Sequence, residues 1–329
     1  MLRKCLLFFL LLSAVLASTA CNKTPAPTSS FEVASQGLHT AALDDKGEYV
    51  FAASINHGGS LWRTSDSERF YNWNHTENEL STILSADFDS AGNWALTAEA
   101  HTLVLWDTSK GSAYRFWTAP GDVLDVALGP NGSSAILGLD DHSAVIFDIR
   151  RGGILRTFTH QNRVRSVDLS DDGSIAITGS EDYSAKTWNV RTGKVLFAQQ
   201  HADDVQLVKL SADGKLALSV SKYDKALVWQ SETGEPLGEI PLNAEHLKRG
   251  IRFTTARFSH DNRYLLTGRP DQRVELWDIQ SMQRIQEWLL PKRDKWKPSS
   301  AAVLSVSFTQ TEGQYLAVGS NGMVHTLQR

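Results

Sequence analysis

The residues that most invite a chemical interpretation, His160, Thr178, Asp182 and Trp188, fall within the stretch 160–189. A histidine, a hydroxyl and a carboxylate are the components of nucleophilic acyl transfer, in which an acid orients the imidazole that deprotonates the hydroxyl. The elements that must carry them argue against that chemistry. Val164, Ser166, Asp168 and Ser170 alternate with Arg165, Val167 and Leu169; then come the turn Asp171-Asp172-Gly173, a second run around Ile175 to Thr178, and a third run ending at Trp188. Short alternating runs separated by tight turns read as three antiparallel strands. A threonine inside a strand, its oxygen committed to a hydrogen-bond network, is not presented to a substrate. A structural role is therefore expected for all four residues, and no catalytic residue is assigned.

The same register recurs along the chain. The third-strand segments SLWR, VLWD, VIFD, KTWN, LVWQ and ELWD end on the anchors Trp62, Trp106, Phe147, Trp188, Trp229 and Trp277, separated by 44, 41, 41, 41 and 48 residues. A second marker, the turn between the first two strands, recurs at Gly47, Gly92, Gly132, Gly173, Gly214, Asn262 and Gly313. Seven turns mean seven units, and glycine or asparagine suits the positive φ of such turns. On these residues the chain resembles the Trp-Asp (WD) repeat family over residues 31–329. The resemblance implies an all-β fold, a seven-bladed β-propeller of four-stranded antiparallel blades. It also implies a network of His, Ser or Thr, Asp and Trp in each unit. The fourth unit fills all four places, the fifth keeps His201, Ser219 and Trp229, and the sixth keeps Thr267, Asp271 and Trp277. The seventh unit, Val303 to Leu327, stops after three strands, while Phe31 to Gln36 precedes the first unit with no other role. In this family the N-terminal segment closes the ring by supplying the last blade's outer strand, and that closure is expected here.

The N-terminus carries its own chemistry. Arg3 and Lys4 precede an apolar run, Cys5 to Ala17, too short to span a bilayer, which reads as an export signal. The run leads into Ser18-Thr19-Ala20-Cys21, which resembles a bacterial lipobox and implies cleavage after Ala20 and lipid attachment at the Cys21 thiol. The expected organisation is a signal peptide over 1–20, the lipidated cysteine and a flexible tether over 21–30, and the propeller over 31–329. With Cys5 discarded, Cys21 has no disulfide partner in the mature chain. Asn22, where inner-membrane lipoproteins carry aspartate, implies an outer-membrane lipoprotein facing the periplasm of a Gram-negative bacterium. Loss of Arg3 and Lys4 takes the formal net charge from −4 to −6, which argues against nucleic acid as a partner.

Elsewhere the sequence offers little for catalysis. It has no phosphate-binding glycine loop, no CxxC pair and no HExxH, so neither a cofactor nor a metal is expected. His57, His101 and His142 precede third strands and are expected to be solvated. The inner first strands show Ser166, Ser305, Thr254 and Thr255, and no set of carboxylates or histidines is expected at matching repeat positions. A hydrolytic or small-ligand site at the axial channel would need such a set, so that alternative ranks second. Trp73, Trp117 and Trp288, in outer strands, are expected to pack between blades.

Departures from the repeat length point to one face. Extra residues lie at about 74–80, 241–250 and 290–300, each between a fourth strand and the next first strand. Two of these insertions are basic, contributing Lys248, Arg249, Lys292, Arg293, Lys295, Trp296 and Lys297, with Arg269 added from a turn between second and third strands. A tryptophan among cations on an otherwise acidic body has the composition of a protein-binding surface. The expected function is a non-enzymatic, lipid-anchored and monomeric scaffold that binds one or more proteins through these residues and the membrane through Cys21.

Overall fold

The computed structural model describes residues 24–76, 79–223, 225–240, 242, 253–294, 296 and 301–329. Seven sheets, each of four antiparallel strands, form seven blades of a propeller. The innermost strands are Leu38–Leu43, Ser85–Phe88, Val123–Leu128, Val164–Leu169, Val205–Leu210, Thr255–Phe258 and Val303–Phe308. Among the described residues the only helical element is a 3-10 turn at Pro130–Gly132.

The turns follow from glycine chemistry. Gly173 sits at φ 69° and Asn262, the one non-glycine among the seven turn markers, at φ 59°. Both occupy the left-handed region that admits glycine freely and asparagine more readily than most residues.

Burial is distributed rather than central. Buried apolar residues fall into seven clusters, one at each junction between neighbouring blades. At the third junction Phe158 and Ile146 meet Val164, Val167 and Trp188 of blade four. A blade cannot bury both faces alone, so each is completed by its neighbours and the ring folds as one body. The outer-strand tryptophans add directional bonds to this packing. Trp73 donates to the Gly111 carbonyl at 3.1 Å, Trp117 to Ile149 at 2.8 Å and Trp288 to Gln328 at 3.1 Å, each in the following blade.

The ring closes through the N-terminus. Strand Ser29–Glu32 pairs antiparallel with Met323–Gln328, matching Ser30 to His325 and Phe31 to Val324. This closing strand starts two residues earlier than the propeller boundary at 31 expected from the apolar pattern. Ser29 and Ser30 therefore belong to the fold, because the ladder and the Ser30–His325 hydrogen bond use them regardless of hydropathy.

Candidate functional site

The first candidate constellation is fully committed to structure. In blade four the Asp182 carboxylate can only accept, so the contact at 2.9 Å requires the proton on His160 Nδ1. That leaves Nε2 of the neutral ring as the acceptor for the Thr178 hydroxyl at 2.7 Å, and Thr178 in turn accepts from the Trp188 indole at 2.8 Å. Burial depresses the His160 pKa. Burial alone would raise Asp182, yet hydrogen bonds from His160 and Ser184 outweigh it and hold the carboxyl well below its usual range. Thr178 has no exposed surface, so the hydroxyl has no access to a substrate. Blade five repeats the core of this chain, with His201 to Ser219 at 2.8 Å and Trp229 to Ser219 at 3.1 Å. Blade six keeps the Trp277 to Thr267 bond at 3.1 Å.

Blade two holds a network that the repeat pattern did not reveal. His75 meets Thr97 at 2.8 Å and Thr102 at 2.6 Å, Trp106 donates to Thr97 at 2.8 Å, and Glu99 takes the place of the aspartate at 3.4 Å. His75 lies at the start of the insertion, which separates it from its strand by more residues than His160 is from its own in blade four.

The second candidate is the loop face. In a four-stranded antiparallel blade the turn between second and third strands leaves from the end at which the first strand begins. These turns therefore share one face of the ring with the connections between blades. Of the residues expected to form a basic patch there, Lys248, Arg249, Lys295 and Lys297 lie outside the described residues, as does Cys21. Lys292 is exposed and Trp296 is 94% exposed. Arg293 reaches the closing segment, pairing with Glu32 at 2.8 Å and donating to the Ala34 carbonyl at 2.8 Å.

Arg269 departs from the expectation. It is buried, with its guanidinium 3.1 Å from the carboxylate of Glu275, which has no exposed surface. A buried carboxylate needs compensating cations, and Glu275 draws Arg269 inward while Arg284 approaches at 2.7 Å. The described part of this face also carries exposed apolar residues. Among the described residues the large hydrophobics exposed outside the fourth strands are Ile55, Leu80, Leu84, Tyr183, Tyr223 and Trp296, and all six sit at this end of the blades. His57, His101 and His142 are exposed in its turns, and among the described residues no three metal-ligating side chains converge.

The third candidate is the axial channel, a cavity of about 850 Å³ lined by the first strands of all seven blades. The first strands carry an ionisable set of mixed sign rather than the matched carboxylates or histidines considered from the sequence. Asp87, Asp168, Lys209 and Arg257 occupy the same position of the first strand in blades two, four, five and six, and Asp125 stands two places earlier in blade three. Alternation in a strand sends both positions to the same, channel-facing side.

Part of this set binds neighbouring backbone. Ser85 accepts from the Val126 amide at 3.3 Å, Asp87 from Leu128 at 2.8 Å and Asp125 from Val167 at 3.0 Å. Ser166 accepts from Val208 at 3.2 Å and Asp168 from Leu210 at 2.9 Å. Each bond runs from one blade to the next, stitching blades two to five around the channel.

The remaining polar capacity faces the cavity. Asp87 Oδ1 makes no hydrogen bond among the described residues. The Lys209 ammonium stands 3.5 Å from Asp168, too long to fill one of its donors well. Burial would lower Lys209, but the carboxylates of Asp168, Asp87 and Asp125 outweigh it and raise its pKa. Burial pushes the Asp87 carboxyl up to about 7, with Lys209 opposing and Asp168 adding to the shift.

With this geometry in view, the comparison with known families is direct. The model of the WD domain, G-beta repeat, matches residues 152–189 and 242–278. The first match runs from the outer strand of blade three through the third strand of blade four, so sequence repeat and structural blade are out of phase. The chain therefore carries WD repeats on a seven-bladed β-propeller. No curated protein matches it.

Proposed function

We propose that this propeller is a non-enzymatic protein-interaction scaffold, exported and anchored through a lipid on Cys21, with its body in the periplasm at the outer membrane. WD propellers typically serve as interaction scaffolds, which supports the class. One observation carries the assignment to a face: the six large hydrophobics exposed outside the fourth strands among the described residues share the end of the ring that holds the length-variable connections. Apolar anchors on a rigid ring lose little ordering entropy on binding, and aromatic residues such as Trp296, Tyr183 and Tyr223 are the side chains on which binding energy concentrates.

Two experiments test this function. Metabolic labelling with a fatty acid should mark the wild type and not Cys21→Ala; an unlabelled wild type removes the anchor. Crosslinking in cells should capture the same partners repeatedly with the wild type and lose them when Tyr223→Ala, Lys292→Glu and Trp296→Ala are combined. Undiminished capture by that triple variant removes the face. Arg293 is left intact because it holds the ring closure.

A further inference from the structure

The charges of the channel are segregated around its wall. Asp87, Asp125 and Asp168 stand on blades two, three and four, whereas Lys209 and Arg257 stand on blades five and six. Ser305 and Thr40 stand on blades seven and one, and Asp45, Lys46, Arg165 and Asp171 line the cavity as well, Asp45 paired with Arg257 and Arg165 with Glu181. At the positions of Asp87, Asp125, Asp168, Lys209 and Arg257 one arc is therefore anionic and the next cationic.

Not all of this charge is consumed internally. Arg257 is held by the Asp45 carboxylate and the Leu43 carbonyl, and Asp125 is filled by Ser85 and two backbone amides. Lys209 and Asp87 are different. Lys209 has one contact at 3.5 Å, and Asp87 has one oxygen bound to Leu128 and the other without a hydrogen bond among the described residues. Both line the cavity.

A purely anionic ligand would gain Lys209 but face three carboxylates, and a purely cationic one would meet Lys209 and Arg257. A molecule with separated charges satisfies both arcs. We propose that the channel binds a small zwitterion of the amino-acid or dipeptide class, its ammonium group on Asp87 and its carboxylate on Lys209. The cavity of about 850 Å³ has the size of ordinary small-molecule pockets and takes such a ligand with accompanying water.

The site predicts a proton event as well as binding. Asp87 is flanked by Lys209, Asp168 and Arg257, and burial pushes its carboxyl up to about 7. A ligand ammonium favours the carboxylate, so binding near pH 6.5 transfers the Asp87 proton to buffer. Isothermal titration in two buffers of different ionisation enthalpy reads that proton directly.

The test uses the purified full-length protein, with glycine, L-alanine and L-alanyl-L-alanine as zwitterionic probes and acetate and methylammonium as singly charged controls. A zwitterion is expected to bind with proton release while the controls do not. Lys209→Met and Asp87→Asn should each weaken binding about tenfold or more, the scale of a lost charge-assisted hydrogen bond, and Asp87→Asn should abolish the proton release. Should either variant melt non-cooperatively, Lys209→Arg and Asp87→Glu replace them, with a changed affinity expected. Failure of every zwitterion to bind the wild type, equal binding of the controls, or unchanged affinity in the folded variants overturns the proposal. Such a failure leaves the scaffold function untouched, because that is read from partner capture at the loop face.

Discussion

Ser30 and His325 hydrogen-bond at 2.6 Å although 295 residues separate them, one on the first strand of the chain and the other on the last. His325 is 1% exposed and its second nitrogen has no hydrogen-bond partner, so this single contact satisfies the ring on one side only. Ser30→Ala should cost about 1–3 kcal/mol, the range for orphaning a buried polar group. Deleting residues 28–32 should lower the whole cooperative transition, because it bares the edge of Met323–Gln328 and removes the Glu32 partner of Arg293. Denaturant unfolding of both variants checks this, and an unchanged midpoint for the deletion would show that closure contributes nothing.

Thr178→Val should destabilise by about 2 kcal/mol or more, since one substitution strands both the Trp188 indole and the His160 ring. Thr97→Val in blade two should behave alike, because Thr97 joins His75 to Trp106 in the same way. If Thr97→Val proves neutral in chemical denaturation, the second network is not equivalent to the first.

Trp73 stacks on Trp106 at 5.1 Å and is fully buried while bonded to Gly111. Trp73→Phe should cost about 1 kcal/mol for the lost hydrogen bond, and Trp73→Ala about 3–5 kcal/mol for the cavity. A calorimetric series of the two variants separates the terms.

Acid should loosen the ring. Burial lowers the pKa of His75 to about 4, with Glu99 pulling the other way, and burial lowers that of His325 to about 4. Each folded value lies below the ordinary 6.5, so the unfolded chain takes up protons first. The stability these rings contribute is present above pH 6.5 and is lost as pH falls from there to about 4. Asp87 acts in the opposite sense. Raised from 3.8 to about 7, its contribution is complete below pH 3.8 and lost as pH rises through 7. His325→Gln should therefore lose less melting temperature than wild type between pH 6.5 and 4.5, and Asp87→Asn should gain more over wild type at pH 8 than at pH 5.

The blade count was legible because seven turn markers, six glycines and Asn262, agree with six third-strand anchors, and ring closure because the seventh unit stops one strand short while Phe31 to Gln36 stands spare. Other features were hidden for identifiable reasons. His75 was masked by the insertion between it and its strand, and its acid is a glutamate. Arg269 looked like a surface cation because the turn is exposed in general, whereas burial of Glu275 is a property of packing. The channel set was written at one strand position as Asp87, Asp168, Lys209 and Arg257, but its members change sign around the ring. A search for repeated carboxylates or histidines passes over a position that alternates between acid and base.

The stitches around the channel join blades two to five, and Thr254 continues them by donating to the Val303 carbonyl between blades six and seven. Between the first strands of blades five and six, Lys209 and Arg257 stand where an acceptor for the next backbone would be, and no such bond forms among the described residues. That joint rests on the apolar cluster running from Leu207 to Trp277 and, away from the channel, on Asn262 donating to the Asp213 carboxylate at 3.0 Å. Directional bonds resist sliding, while apolar contact holds two surfaces together without fixing their register. Among the described residues the hoop of channel bonds therefore falls into two arcs, blades two to five and blades six, seven and one.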